Sequence, residues 1–440
     1  MDRRNEVTGE EIELDEDSPS LISGGNVTQA LAPTDSGKDA YMVLAGCFLA
    51  EVFTWALPYS YGVFQAYYTL HKTFPTQTRG VAVVGTIMIG LMTVLSPFSA
   101  MASQMWPHLR RSIMAFGLVL ASSSLVAASY CTRVDALIAT QGVLYAVGCV
   151  VAYFPCFIFL DEWFVRRKGL AYGVAWAGTG FGGSVTPFIL DWLLSTYGPR
   201  ITLRIWAVVQ LVGVGAAILL VRNRLPISGA HTLRSTDMAF LKYPPFWVFE
   251  AANIIVALGA YLPMLYIPTF AASIDLPAFS GPLALALYSI FTVCGCLLLG
   301  SLVDHFHVCT VILLSTLCQL IAIFIFWGLT NGQVLLYLFA ILYGVFGGAS
   351  SSTWPGCSLA INNAIPGCHV DTAFVLSLLT AGKGLGSLAS GPLSTALLQS
   401  GWQVHTKSAY GSDFGAIIVF TGISAMFGII ACVGRLFRIV

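Results

Sequence analysis

Two ionisable residues stand where charge is costly. Glu51 lies about ten residues into the apolar run 41–66, and Lys383 about eleven residues into the run 372–397. At the helical rise each falls roughly 15 Å from the start of its run, near the middle of a hydrocarbon layer about 30 Å thick. A charge there costs roughly 2.5–3.5 kcal/mol on insertion scales, so such residues are functional candidates by default. Lys383 is the one Lys or Arg deep in any apolar run, and Gly382 and Gly384 flank it without side chains. It reads as an anion-binding group that a ligand can approach closely. The protonation of a desolvated carboxylate responds to a nearby ammonium, so Glu51 reads as a proton-coupling residue. A structural Glu51–Lys383 ion pair is the alternative.

Polar and aromatic groups in other apolar runs complete the candidate binding set: Tyr59, Asn253, Tyr261, Phe346 and Ser350. Phe346 and Ser350 are four apart and so share a helix face. Glu250 and Asp191 lie nearer run ends and read as interfacial. His305, His307 and His369 fall in loops, where solvation accounts for them. A charged cluster, Asp161, Glu162, Arg166, Arg167 and Lys168, closes one run and opens the next. It can act as an ion-pair latch at a membrane edge, or as a topology anchor against lipid headgroups.

The elements that must position these residues follow from composition. Of 440 residues 57% are apolar and 10% charged, against about 25% charged in an ordinary soluble domain. That excludes a soluble enzyme and predicts a polytopic membrane protein. The apolar runs are too long for barrel strands, and no basic patch suits nucleic acid. Twelve spans are predicted, at 41–66, 81–102, 112–130, 136–160, 169–194, 203–221, 246–270, 281–302, 308–329, 333–354, 372–397 and 415–436. Fourteen of the 21 Lys and Arg then fall on one side and six on the other, which predicts both termini in the cytoplasm. The organisation is an acidic, disordered tail over 1–40, a six-helix bundle over 41–221, a cytoplasmic linker over 222–245 and a second bundle over 246–440.

The two halves echo each other. Span 5 carries Gly178, Gly180, Gly182 and then Pro187, and span 11 carries Gly382, Gly384, Gly386 and then Pro392. Matched interrupted helices point to a transporter's binding region; close packing through small residues is the other reading. The 11 Cys are scattered without a CxxC pair and read as small hydrophobes. No P-loop and no metal-ligand cluster is found, so no cofactor is expected. Asn26-Val27-Thr28 is a glycosylation sequon that the predicted orientation leaves unused.

The stretch Asp161-Glu162-Trp163-Phe164-Val165-Arg166-Arg167-Lys168-Gly169-Leu170-Ala171, leading into Ala177-Gly178, resembles the signature of the monocarboxylate-porter family of the major facilitator superfamily. Asp35-Ser36-Gly37 resembles that family's acidic-glycine lead-in to helix 1. Tyr61-Gly62-Val63-Phe64-Gln65 and Ser390-Gly391-Pro392-Leu393 resemble its fungal branch. The resemblance implies an all-α membrane fold of twelve helices in two halves. It also implies secondary transport of an organic acid by alternating access, coupled to a proton gradient, in the plasma membrane. Two departures stand out. Animal members place a Lys late in helix 1, where Tyr59 stands. They place an Asp and an Arg four apart in helix 8, where Thr292 and Cys296 stand. The substrate is expected to be an anionic small molecule, an organic acid or carboxylate-bearing metabolite, and the missing clamp favours a larger one over a small monocarboxylate of the lactate type. Efflux of a fungal secondary metabolite is the alternative, and a non-transporting sensor with long cytoplasmic tails a more distant one.

Overall fold

In lipid every backbone polar group must be satisfied within its own segment, which makes the helix the local solution for a long apolar run. The computed structural model describes residues 33–71, 78–224, 238–277, 279–365, 370–400 and 408–430, all within the unit Pro33–Val440. Most of the acidic segment 1–40 with its sequon, residues 225–237 of the linker, His369 and residues 431–440 lie outside the described residues.

Ten segments are long and apolar enough to cross a membrane. They are α1 Lys38–Tyr68, α2 Val83–Met105, α3 Pro107–Ala128, α4 Val134–Trp163, the segment Lys168–Leu220, α7 Pro244–Ser273, α8 Ser280–His305, α9 Val308–Trp327, α10 Gln333–Ala364 and α11 Thr372–Leu398. Lys168–Leu220 holds two helices, α5 over 168–197 and α6 over 199–220. They meet at Gly198, whose φ of 73° lies in the left-handed region that glycine enters freely. Pro199 then starts α6 with a preset φ. A shorter apolar helix, α12 Gly415–Ile429, ends where the described residues end. Phe116 and Val212 are each 67% exposed and Leu219 is 75% exposed. Rows of large apolar side chains on the outside suit lipid, and the chain is a multi-pass integral membrane protein.

Two helices depart from regularity where it matters. α7 breaks at Tyr261, just ahead of Pro263, and the Tyr343 hydroxyl donates to the Ala260 carbonyl at 3.1 Å. α10 widens into a π turn over Gly344–Gly348 and tightens into a 3₁₀ turn over Ser350–Thr353.

The repeated glycines are packing surfaces with one pattern in both halves. A Cβ on Gly178 would lie 2.6 Å from the Phe48 carbonyl oxygen, and one on Gly182 would lie 2.8 Å from that of Val52. Both contacts keep α5 on α1. A Cβ on Gly386 would lie 2.6 Å from the Ile254 carbonyl oxygen, and one on Gly382 would strike the Glu250 carboxylate. Both keep α11 on α7. The middle glycine crosses between halves. Gly180 faces Val293 of α8, and Gly384 faces Thr93 of α2. Small residues let helix backbones approach, which is what associates helices in lipid. Gly382 and Gly384 therefore leave no open approach to Lys383. The space beside them belongs to Glu250 and Thr93.

Candidate functional site

Tyr59 of α1, Tyr261 at the break in α7 and Lys383 of α11 line one cavity between the halves, together with Tyr288 and Thr292 of α8 and Gly180 of α5. Tyr261 stands at the break, where Pro263 has no N–H to donate back to Gly259. Lys383 Nζ donates to Ser351 Oγ at 2.8 Å. It also stands 5.5 Å from the Tyr261 ring centroid and 5.6 Å from that of Trp354. Rings at this distance attract a cation through their quadrupole. Among the described residues no carboxylate forms an ion pair with it. The ammonium is thus solvated by one hydroxyl and two ring faces.

The other three binding-set residues fall elsewhere. Asn253 and Ser350 line a second cavity inside the C-terminal half. The Asn253 amide donates to the Leu379 carbonyl at 2.7 Å. The Phe346 ring packs against the cluster of Ala177, Cys296 and Leu299, and its carbonyl accepts from Ser315 and Gln319. Phe346 lies in the π turn and Ser350 opens the 3₁₀ turn, and the two side chains stand in different surroundings.

Below the cavity lies an aromatic floor. Trp55 stacks on Tyr59 at 5.5 Å between centroids and meets Tyr153 edge-on at 5.6 Å. Trp176 of α5 meets Trp354 of α10 edge-on at 5.6 Å, which joins the halves directly under Lys383. Glu51 sits one turn beyond Trp55, is 1% exposed, and has no hydrogen-bond partner on either carboxylate oxygen among the described residues. The structure does not pair it with Lys383. Glu250 is not interfacial: it is 7% exposed, wedged against Gly382. Its position inside the apolar run Phe246–Ile255 was the available signal. Ser351 and Trp354 were missed as well, although Ser350-Ser351-Ser352-Thr353 is an unusual polar break in an apolar span.

At the face carrying Arg110, Arg166, Arg167 and Lys168, the basic face, the halves are sealed. Asp304, at the end of α8, accepts from the Gly169 and Leu170 N–H groups at 2.6 and 2.8 Å. It thereby caps α5 from the opposite half. Lys168 pairs with Asp161 and donates to Thr372 Oγ1 of α11 at 3.2 Å. Glu162 pairs with Arg110 and accepts from the Arg224 N–H. The expected partners Arg166 and Arg167 instead have exposed side chains and contribute backbone N–H groups. Those of Val165, Arg166 and Arg167 all donate to the Asp35 carboxylate at 2.9–3.1 Å. Asp35 reaches them because its φ of 58° and the 96° of Gly37 bend the lead-in to α1 back toward α5. This ties the two short sequence motifs into one structure.

Burial alone would push the Asp35 carboxyl up, but the three N–H donors outweigh it and hold it below its ordinary value. A depressed carboxylate contributes stability above its unfolded pKa and loses it as pH falls through the folded one. Asp35→Ala is expected to cost about 1 kcal/mol at pH 7, discounted for partial exposure. The gap to wild type should close below about pH 4. Thermal melting of the purified protein at both pH values checks this. A gap that stays constant on acidification would mean that Asp35 acts through packing alone.

Residues 43–366 match the family described as the Major Facilitator Superfamily. The chain is 23% identical over 420 residues to the MFS transporter asaE of Aspergillus flavus, covering 93% of this chain and 90% of that protein. It is 24% identical to Monocarboxylate transporter 12-B of Danio rerio, over 87% of this chain and 84% of that one. The Aspyridones efflux protein apdF of Emericella nidulans is also 24% identical, over 88% of this chain and 78% of its own. The crystal structure of the human organic anion transporter MFSD10 superposes with a TM-score of 0.62 at 12% identity, over 90% of this chain and all of that one, and shows the fold. With its helical halves around a cavity and one face sealed, the chain belongs to the Major Facilitator Superfamily and is a membrane transporter of small molecules.

Proposed function

We propose that the protein moves an organic anion by alternating access, with Lys383 as the anion-binding group. One observation carries this reading: the cavity between the halves holds an ammonium with no carboxylate partner among the described residues. Lys383 is half-buried, deep in the apolar helix α11; a cation there without a counter-charge is costly, and an anionic substrate supplies the missing charge. The excess of Lys and Arg on the basic face supports a cytoplasmic position for that face and for both termini. The conformation is then closed inward, in a plasma-membrane carrier. Export of a metabolite is a second reading of direction, favoured by the efflux function printed for the relative apdF.

Proton coupling falls to Glu51. A buried carboxylate with no donor partner is far cheaper neutral than charged, which is what a proton carrier in α1 requires. Because Trp55 intervenes between it and Tyr59, its effect on Lys383 runs through helix position and not through a direct pair. Glu51→Gln should keep substrate counterflow in proteoliposomes while its net flux loses at least about tenfold of the response to an imposed pH gradient. Flux that follows the gradient as steeply as wild type would make Glu51 structural.

A further inference from the structure

We infer that the site selects planar aromatic anions over aliphatic acids of equal charge and size. The inference rests on Lys383 as the anion-binding group and adds what surrounds it. The two ring contacts of Lys383, Tyr261 and Trp354, come from different helices and flank its ammonium at nearly equal distance. Tyr59 and Tyr288 add two more rings to the same cavity, one from each half. When an anion takes the ammonium, the Tyr261 face loses its cation. A ring attached to the anion can replace it by offset or edge-to-face stacking, whereas a saturated ring cannot. Aliphatic walls would have served an aliphatic acid equally well at lower desolvation cost, since Tyr hydroxyls need partners when buried.

Trp354 stands on the other side of the ammonium. Its indole faces Lys383 and meets Trp176 of the other half edge-on, and it lines the second cavity and not the one that holds Tyr59 and Tyr261. The rings that a bound anion's own ring meets directly are therefore Tyr59, Tyr261 and Tyr288.

The test uses the full chain in nanodiscs, titrated by calorimetry with 2-naphthoate and decalin-2-carboxylate. These two probes match in charge and carbon count. Wild type should bind naphthoate about tenfold more tightly, the size of one to two ring contacts. Tyr261→Leu should bring the two probes within about threefold, and Tyr261→Phe should keep the preference. Tyr288→Leu, at a second ring of the same cavity, provides an independent loss. Lys383→Ala should weaken both probes alike. Equal binding of both acids to wild type, with both still dependent on Lys383, would overturn the aromatic selectivity and leave the anion site standing. Failure of either probe to bind, or binding indifferent to Lys383→Ala, would overturn the anion site and the selectivity together.

Discussion

Lys383→Ala is expected to reduce substrate flux about 100-fold, because truncating one partner of a buried charge pair costs roughly 2–5 kcal/mol. The folded protein should survive the change. Lys383 forms no ion pair among the described residues, so its removal strands no buried carboxylate, and Ser351 is the hydrogen-bond partner released. Lys383→Arg should retain part of the flux. Its charge persists, but the planar guanidinium is wider than an ammonium and must fit between the Tyr261 and Trp354 rings. The measurement is counterflow in proteoliposomes at matched protein amount, with melting temperature as the control for folding. Full flux in the alanine variant would remove Lys383 from the site.

The second large effect concerns the seal. A Cβ on Gly173 would lie 2.3 Å from the Cys296 carbonyl oxygen. The obstacle is backbone, so no rotamer change relieves it. Gly173→Val should wedge α5 from α8, hold the basic face open and abolish net transport, while the ring and ammonium contacts of the cavity persist. Cys296, 3% exposed in the closed state, should become reactive toward a membrane-impermeant thiol reagent. With the other ten Cys replaced by Ser, that labelling should appear in inside-out vesicles and be absent from right-side-out ones. Gly62→Ala is the matched control, since a Cβ there meets nothing within 4 Å. Labelling only from the opposite side would overturn the orientation. No gain in labelling, with normal flux, would remove the α5–α8 contact from the gate.

Lys383 and Tyr261 illustrate what a sequence can show of such a site. A lone cation deep in an apolar run is conspicuous because its burial cost is large whatever surrounds it. Tyr261 stands beside a proline that must break its helix. Asn253, Ser350 and Phe346 were equally conspicuous as polar or aromatic interruptions, yet they belong to a neighbouring cavity and a packing cluster. Their destination depends on helix rotation, at 100° per residue, and the π turn in α10 shifts that rotation with no composition signal of its own. The charged cluster followed the same rule. Its acidic members do form ion pairs, Asp161 with Lys168 of the cluster and Glu162 with Arg110 outside it, while Asp35 holds the backbone of Arg166 and Arg167 and leaves their side chains outside.

By itself the sequence determined the membrane class, the long apolar helices and the paired glycine stripes, along with the positions of Lys383 and Glu51 deep in apolar runs. All of these are fixed by transfer free energies and periodicity along one chain segment. The tertiary structure alone decided which segments meet. It set Glu250 against Gly382, Ser351 and Trp354 around Lys383, Asp304 on the start of α5, and Glu51 apart from Lys383. Those pairings come from backbone-to-backbone approach between helices far apart in the chain. Such approach turns on a few ångströms of register and rotation, to which hydropathy is blind.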